Sequence, residues 1–153
     1  MKNLIRFFAI SICVLTFISC DNDNDSNDGP NVTTFTANLS GENEVPANSS
    51  AAKGTATLTF NNTTNTFTIN VTHNLTSAVA GHIHMGAAGT NGAVIFPFTS
   101  AGSPITFTSV ALTTAQEVDL KANLNYVNLH STAFAGGEIR GQLIKGATTG
   151  GSK

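Results

Sequence analysis

The sequence predicts an all-β domain, a sandwich or partly closed barrel of antiparallel strands, with one short helix. Two observations carry this. Short segments alternate apolar and polar residues with a period of two, and Asn, Gly and Pro punctuate them at short intervals. Thr, Asn, Gly and Phe are abundant while only 10% of the residues are charged, which suits strands and tight turns better than helices.

"VTTFTANLS" (32–40) is a first strand, and "GENEVPANSSAAKG" is a loop broken by Pro46. "GTATLTF" places Ala56, Leu58 and Phe60 on one face, and "TFTINVTHN" does the same for Phe67, Ile69, Val71 and His73. The turn residues "NNTTN" between them make 54–74 an antiparallel hairpin, with His73 at the rim of the apolar row. "AVAGHIHMG" is a strand, joined by "AAGTNG" to "AVIFPF", and "ITFTSVAL" (105–112) is another. Gly86, Gly89 and Gly92 are expected at turn or bulge positions with positive φ. A strand rather than a helix follows them, which argues against a phosphate loop. "TTAQEVDLKANL" breaks the alternation, and Thr114-x-x-Glu117 reads as the capping box of a short helix. "NYVNLHS" and "GEIRGQLI" complete seven or eight strands.

Ahead of this body, residues 1–19 read as a signal peptide: basic Lys2 and Arg6, then an apolar run too short and too early to span a membrane in the mature protein. The run ends at Ser19-Cys20 and resembles the lipobox of bacterial lipoproteins, with Phe17 where Leu is usual. That resemblance implies lipidation of Cys20; a plain secretory signal is the alternative. Residues 20–31 form the lipidated Cys and an acidic, disordered tether, 32–145 the domain, and 146–153 a flexible tail. The expected address is the bacterial cell envelope, lipid-anchored in the outer membrane, with the cell surface a further option. Cys13 and Cys20 are the only cysteines, so a body cut at Cys20 holds neither disulfide nor thiolate chemistry. From residue 29 onward five acids face five bases, and a neutral body without a basic patch excludes nucleic acid as partner.

Four phrases stand in order across the body: "FTANLSGENEVP", "GHIHMGAAGTNGAVIF", "NYVNLHSTAF" and "GGEIRGQL". Together, over about 32–144, they resemble the CHRD (chordin) domain family and its microbial exported lipoprotein branch. The resemblance implies an immunoglobulin-like antiparallel β-sandwich, distantly similar to copper/zinc superoxide dismutases. Those enzymes hold copper partly on a His-x-His strand and end with a Gly- and Arg-containing strand, to which His82-Ile83-His84 and "GGEIRG" are superficially similar. No established activity comes with the family.

His82 and His84 share one strand face, and Tyr126, Asn128 and His130 share another. Glu138, Arg140 and Gln142 form a third polar row. If these strands are neighbours, His82, His84 and His130 make a three-histidine site with an open position, suited to copper or zinc. Asn128, Glu138 and Arg140 would then be its outer partners, with Arg140 pairing Glu138 or drawing an anion. The competing reading is a metal-free polar network that fixes strand register. Hydrolase and dismutase chemistry are disfavoured: there is no nucleophile elbow, no paired acids, no zinc loop and no basic surplus, and no catalytic residue is assigned. What remains is a non-catalytic binding or structural module for a protein or glycan, marked by an exposed aromatic patch at Phe96 and Phe98, or a metal-binding protein.

Overall fold

The computed structural model describes residues 29–150. The signal peptide, Cys20 and most of the tether lie outside the described residues. The chain runs β1 (Val32–Ser40), a 3-10 turn (Gly41–Asn43), β2 (Lys53–Asn61), β3 (Thr66–His73), β4 (Ala78–Met85), β5 (Ala93–Pro97), β6 (Ile105–Thr108), α1 (Thr114–Lys121), β7 (Asn125–Ser131), β8 (Ile139–Gln142) and β9 (Ile144–Thr149).

All pairings are antiparallel. The strands form one hydrogen-bonded path, β5-β4-β7-β8-β1-β2-β3-β6, with β9 on β1. Hydrogen bonding therefore draws no division into two sheets of the kind a sandwich has. β1 and β8 meet through a single residue pair, Ser40 opposite Arg140, which frees the first half of β1 to bond β9. The sheet curls strongly into a half-barrel, and aromatic contacts measure the curl. Phe96 on β5, at one end of the path, packs edge-on against Phe67 on β3 with centroids 5.1 Å apart, and lies 6.3 Å from Phe107 on terminal β6.

Period-two alternation builds the core. Phe35, Ala37 and Leu39 of β1, Ala56, Leu58 and Phe60 of β2, and Phe67, Ile69 and Val71 of β3 all point inward and are buried. Ile83, Val127, Leu129 and Ile139 do the same from β4, β7 and β8, while Leu112 and Leu120 plug the core from the helical crossover. Each fully buried large side chain contributes about 1.5–3 kcal/mol, so this row determines which face every intervening residue must take.

Local details depart from expectation at four places. β6 stops at Thr108 rather than 112, because Ser109 Oγ replaces a backbone acceptor for Phe67 N–H (2.9 Å) and turns the chain away. The capping box is one residue earlier: Gln116 N–H donates to Thr113 Oγ1 (3.3 Å) and Thr113 N–H donates to Gln116 Oε1 (2.9 Å). The segment expected as a flexible tail from residue 146 continues as exposed β9 to Thr149, since β1 has a free edge to pair it. Of Gly86, Gly89 and Gly92, only Gly89 has positive φ (+77°). Gly92 is required by close approach, for a Cβ there would stand 1.6 Å from the Met85 carbonyl oxygen.

Candidate metal centre

Strand register assembles the polar residues. On β4 and β7, His82 stands opposite Asn128, His84 opposite Tyr126 and Ala80 opposite His130. On β7 and β8, Asn128 faces Arg140 and Tyr126 faces Gln142. Directly opposed residues share a sheet face. Because Ile83, Val127, Leu129 and Ile139 occupy the core, His82, His84, Tyr126, Asn128, His130, Arg140 and Gln142 are driven to the other, outer face.

One nitrogen from each of His82, His84 and His130 lies within 4.8 Å of the others. Nδ1 of His84 bonds the Gly92 carbonyl (3.0 Å) and Nδ1 of His130 the Ala135 carbonyl (2.9 Å). A carbonyl only accepts, so both rings carry their proton on Nδ1 and turn a bare Nε2 the other way. Those two Nε2 atoms and His82 Nδ1 are buried and unpartnered. A tetrahedral ion with bonds of about 2.0–2.1 Å holds its nitrogens roughly 3.3 Å apart, so binding would draw the three rings closer together. The rings already meet edge-on, His82 to His130 with centroids 5.1 Å apart and His82 to His84 at 5.6 Å. Burial, and then the neighbouring His130 and His84, hold His82 below the usual imidazole value. Burial lowers His84 too, opposed by the Gly92 carbonyl and aided by His130 and Arg140. Both are thus neutral at pH 7, the form a metal needs.

Two loops roof this outer face. The β4–β5 turn is clamped from beneath: Arg140 donates to Asn91 Oδ1 (3.0 Å) and the Thr90 carbonyl (2.7 Å), and Gly92 N–H donates to Tyr126 Oη (3.1 Å). The guanidinium lies 3.9 Å over the Tyr126 ring, which stacks in turn on His84 at 4.8 Å. Arg140, Tyr126 and the turn therefore orient His84 together. The loop after β1 is tied down by Asn43, donating to the carbonyls of Asn38 and Arg140, and by Asn48, donating to those of Gly137 and Glu138. Asn91 Nδ2 joins the two loops through the Val45 carbonyl (2.9 Å).

The residues expected as outer partners divide. Arg140 and Asn128 are buried beside the triad. Glu138 is not part of that group: it precedes β8, and its carboxylate accepts from Ser50 Oγ (2.7 Å) instead of pairing Arg140. His73 stays at the rim, with Nε2 bonded to the Ala101 carbonyl and Nδ1 accepting from Leu75 N–H. The expected aromatic patch is closed, since Phe96 is core and Phe98 packs against it.

Glu44 was hidden in the sequence. It sits in an irregular loop, where no alternation assigns a face, yet it is only 7% exposed. Burial raises its carboxyl to about 7, against the opposing pull of Arg140. The one available signal was its place inside "SGENEVP", the first of the four phrases. All four phrases supply residues to this single outer face: Glu44, then His82, His84 and Gly92, then Tyr126, Asn128 and His130, then Gly137 and Arg140.

Residues 35–143 match the family model of the CHRD domain. No curated protein matches the chain, and no solved structure does.

Proposed function

We propose that this chain, which belongs to the CHRD domain family, is a metal-binding module of the bacterial cell envelope. A lipid on Cys20 holds it at the membrane, and His82, His84 and His130 carry one copper or zinc ion. One pair of observations supports the metal above all: one nitrogen from each of the three histidines lies within 4.8 Å of the others, and each ring holds a buried nitrogen without a partner, two of the rings being fixed by Nδ1 bonds to carbonyls. The competing reading, a self-satisfied network that fixes register, requires partners for these atoms. Leaving a buried polar atom unpaired costs about 1–3 kcal/mol, and an ion recovers all three at once. Neutral imidazoles suit both copper and zinc, and a three-histidine set leaves a fourth position for another ligand.

Every described residue lies downstream of Asp21, so residues 21–153 hold all the described elements. This chain, dialysed and then titrated with Cu²⁺ and Zn²⁺, is expected to bind close to one equivalent of one of them tightly. A His82→Ala/His84→Ala double variant is expected to keep the β circular-dichroism spectrum and lose that binding. Absence of tight binding in the wild type would overturn the reading.

A further inference from the structure

We propose that Asn91-Gly92 is a deamidation site that the folded β4–β5 turn keeps latched, and that modification there unseats the turn over the histidine face. It is the one Asn-Gly pair in the chain, and such pairs react fastest because glycine leaves the attacking nitrogen uncrowded. The reaction draws on nothing but water. The Gly92 nitrogen bonds to Asn91 Cγ, the Cγ–Nδ2 bond breaks, and ammonia leaves with the proton that the Gly92 nitrogen gives up. Water then opens the succinimide. Release of the nitrogen from Cγ gives aspartate. Release from the α-carbonyl carbon gives isoaspartate, whose main chain is longer by one methylene.

Three hydrogen bonds hold the reacting groups. Asn91 Oδ1 accepts from the buried Arg140 guanidinium (3.0 Å), Asn91 Nδ2 donates to the Val45 carbonyl (2.9 Å), and Gly92 N–H donates to Tyr126 Oη (3.1 Å). Attack requires the carboxamide to swing onto the Gly92 nitrogen, which gives up the Val45 and Tyr126 bonds. Arg140 polarises the carboxamide, but only a turn that has opened can use that. Asn91 itself is exposed, so water has access and the restraint is conformational. The reaction then proceeds at the rate of the free chain multiplied by the fraction of time the latch is open.

The same contacts make the product disruptive. Hydrolysis puts an oxygen where Nδ2 was, so the turn loses its donor to the Val45 carbonyl and its tie to the loop after β1. An isoaspartate also displaces Gly92, where a Cβ would already stand 1.6 Å from the Met85 carbonyl oxygen. Gly92 then cannot keep both its bond to Tyr126 and the one its carbonyl makes with His84 Nδ1 (3.0 Å). None of this depends on a bound ion, so the inference stands apart from the metal-binding reading.

The test incubates metal-free residues 21–153 beside a peptide of residues 88–94 in the same buffer, and follows deamidation at position 91 by peptide mapping. The folded chain is expected to react at least about tenfold more slowly than the peptide. Tyr126→Phe, which frees Gly92 N–H and keeps the ring, is expected to react about fivefold faster than wild type. A folded chain that matches the peptide would overturn the latch, an arm that depends on no variant. So would Tyr126→Phe reacting at the wild-type rate with an unchanged circular-dichroism spectrum. The isoaspartate form, purified after long incubation, is expected to melt about 5 °C or more below the unmodified chain. An equal Tm would show that the turn stays seated and would sink the second half of the inference.

Discussion

Glu44 is the side chain furthest from its solution behaviour. Its folded value of about 7 stands against 4.5 for the free group, so the folded protein holds a proton there that the unfolded chain has released. The resulting stabilisation is complete below about 4.5 and is lost as pH rises through about 7. His82 and His84 act in the opposite sense. Their folded values lie below 6.5, so their contribution is present above 6.5 and declines as pH falls. In metal-free protein, Glu44→Gln removes only the first term. From pH 5 to pH 8 the wild-type Tm is expected to lose about 5 °C or more relative to that variant. Parallel Tm profiles would mean that Glu44 titrates as an exposed acid. The histidines were legible as a face-sharing pair because strand alternation is local. Glu44 was not, because its burial comes from loops that pack over it.

At the scale of the element, the β4–β5 turn matters more than either strand it joins. Gly92 does three things there: it accepts from His84, donates to Tyr126 Oη, and passes too close to Met85 for any side chain. Tyr126→Phe removes only the hydroxyl and leaves the ring between Arg140 and His84. It is expected to cost about 1 kcal/mol of stability and about tenfold in metal affinity, as loss of a ligand-orienting partner does. Calorimetric Zn²⁺ or Cu²⁺ titration beside a melting curve separates the two effects, and an affinity equal to wild type would show that the stack alone orients His84. The 54–74 hairpin was legible because both strands alternate cleanly around turn residues. The extent of β6 was not, since a serine hydroxyl replaces one backbone acceptor, and residues 146–149 became a strand only because β1 offers a free edge.

At the scale of the molecule, curling brings the ends of the strand path together on one core and leaves the loops to roof the outer face of β4, β7 and β8. All described secondary structure lies beyond the N-terminal segment, so the proposed anchor and the proposed metal site are expected to be separable. Cys20→Ser is expected to abolish acyl labelling and membrane fractionation of the full chain while metal content per folded protein is unchanged. Membrane partition equal to wild type would remove the lipid anchor from the proposal.

The sequence by itself determined most of the strands, though neither the end of β6 nor β9, and which face their residues take, because alternation and turn chemistry act within a few residues. It therefore placed His82 with His84, and Tyr126 with Asn128 and His130, on common faces. Only the tertiary structure decided that β4, β7 and β8 are neighbours in a register that sets His82 opposite Asn128. Only it turned Glu138 toward Ser50, buried Glu44 and folded Phe96 into the core. Strand order, register and loop closure depend on contacts between residues far apart in the chain, and no local pattern encodes them.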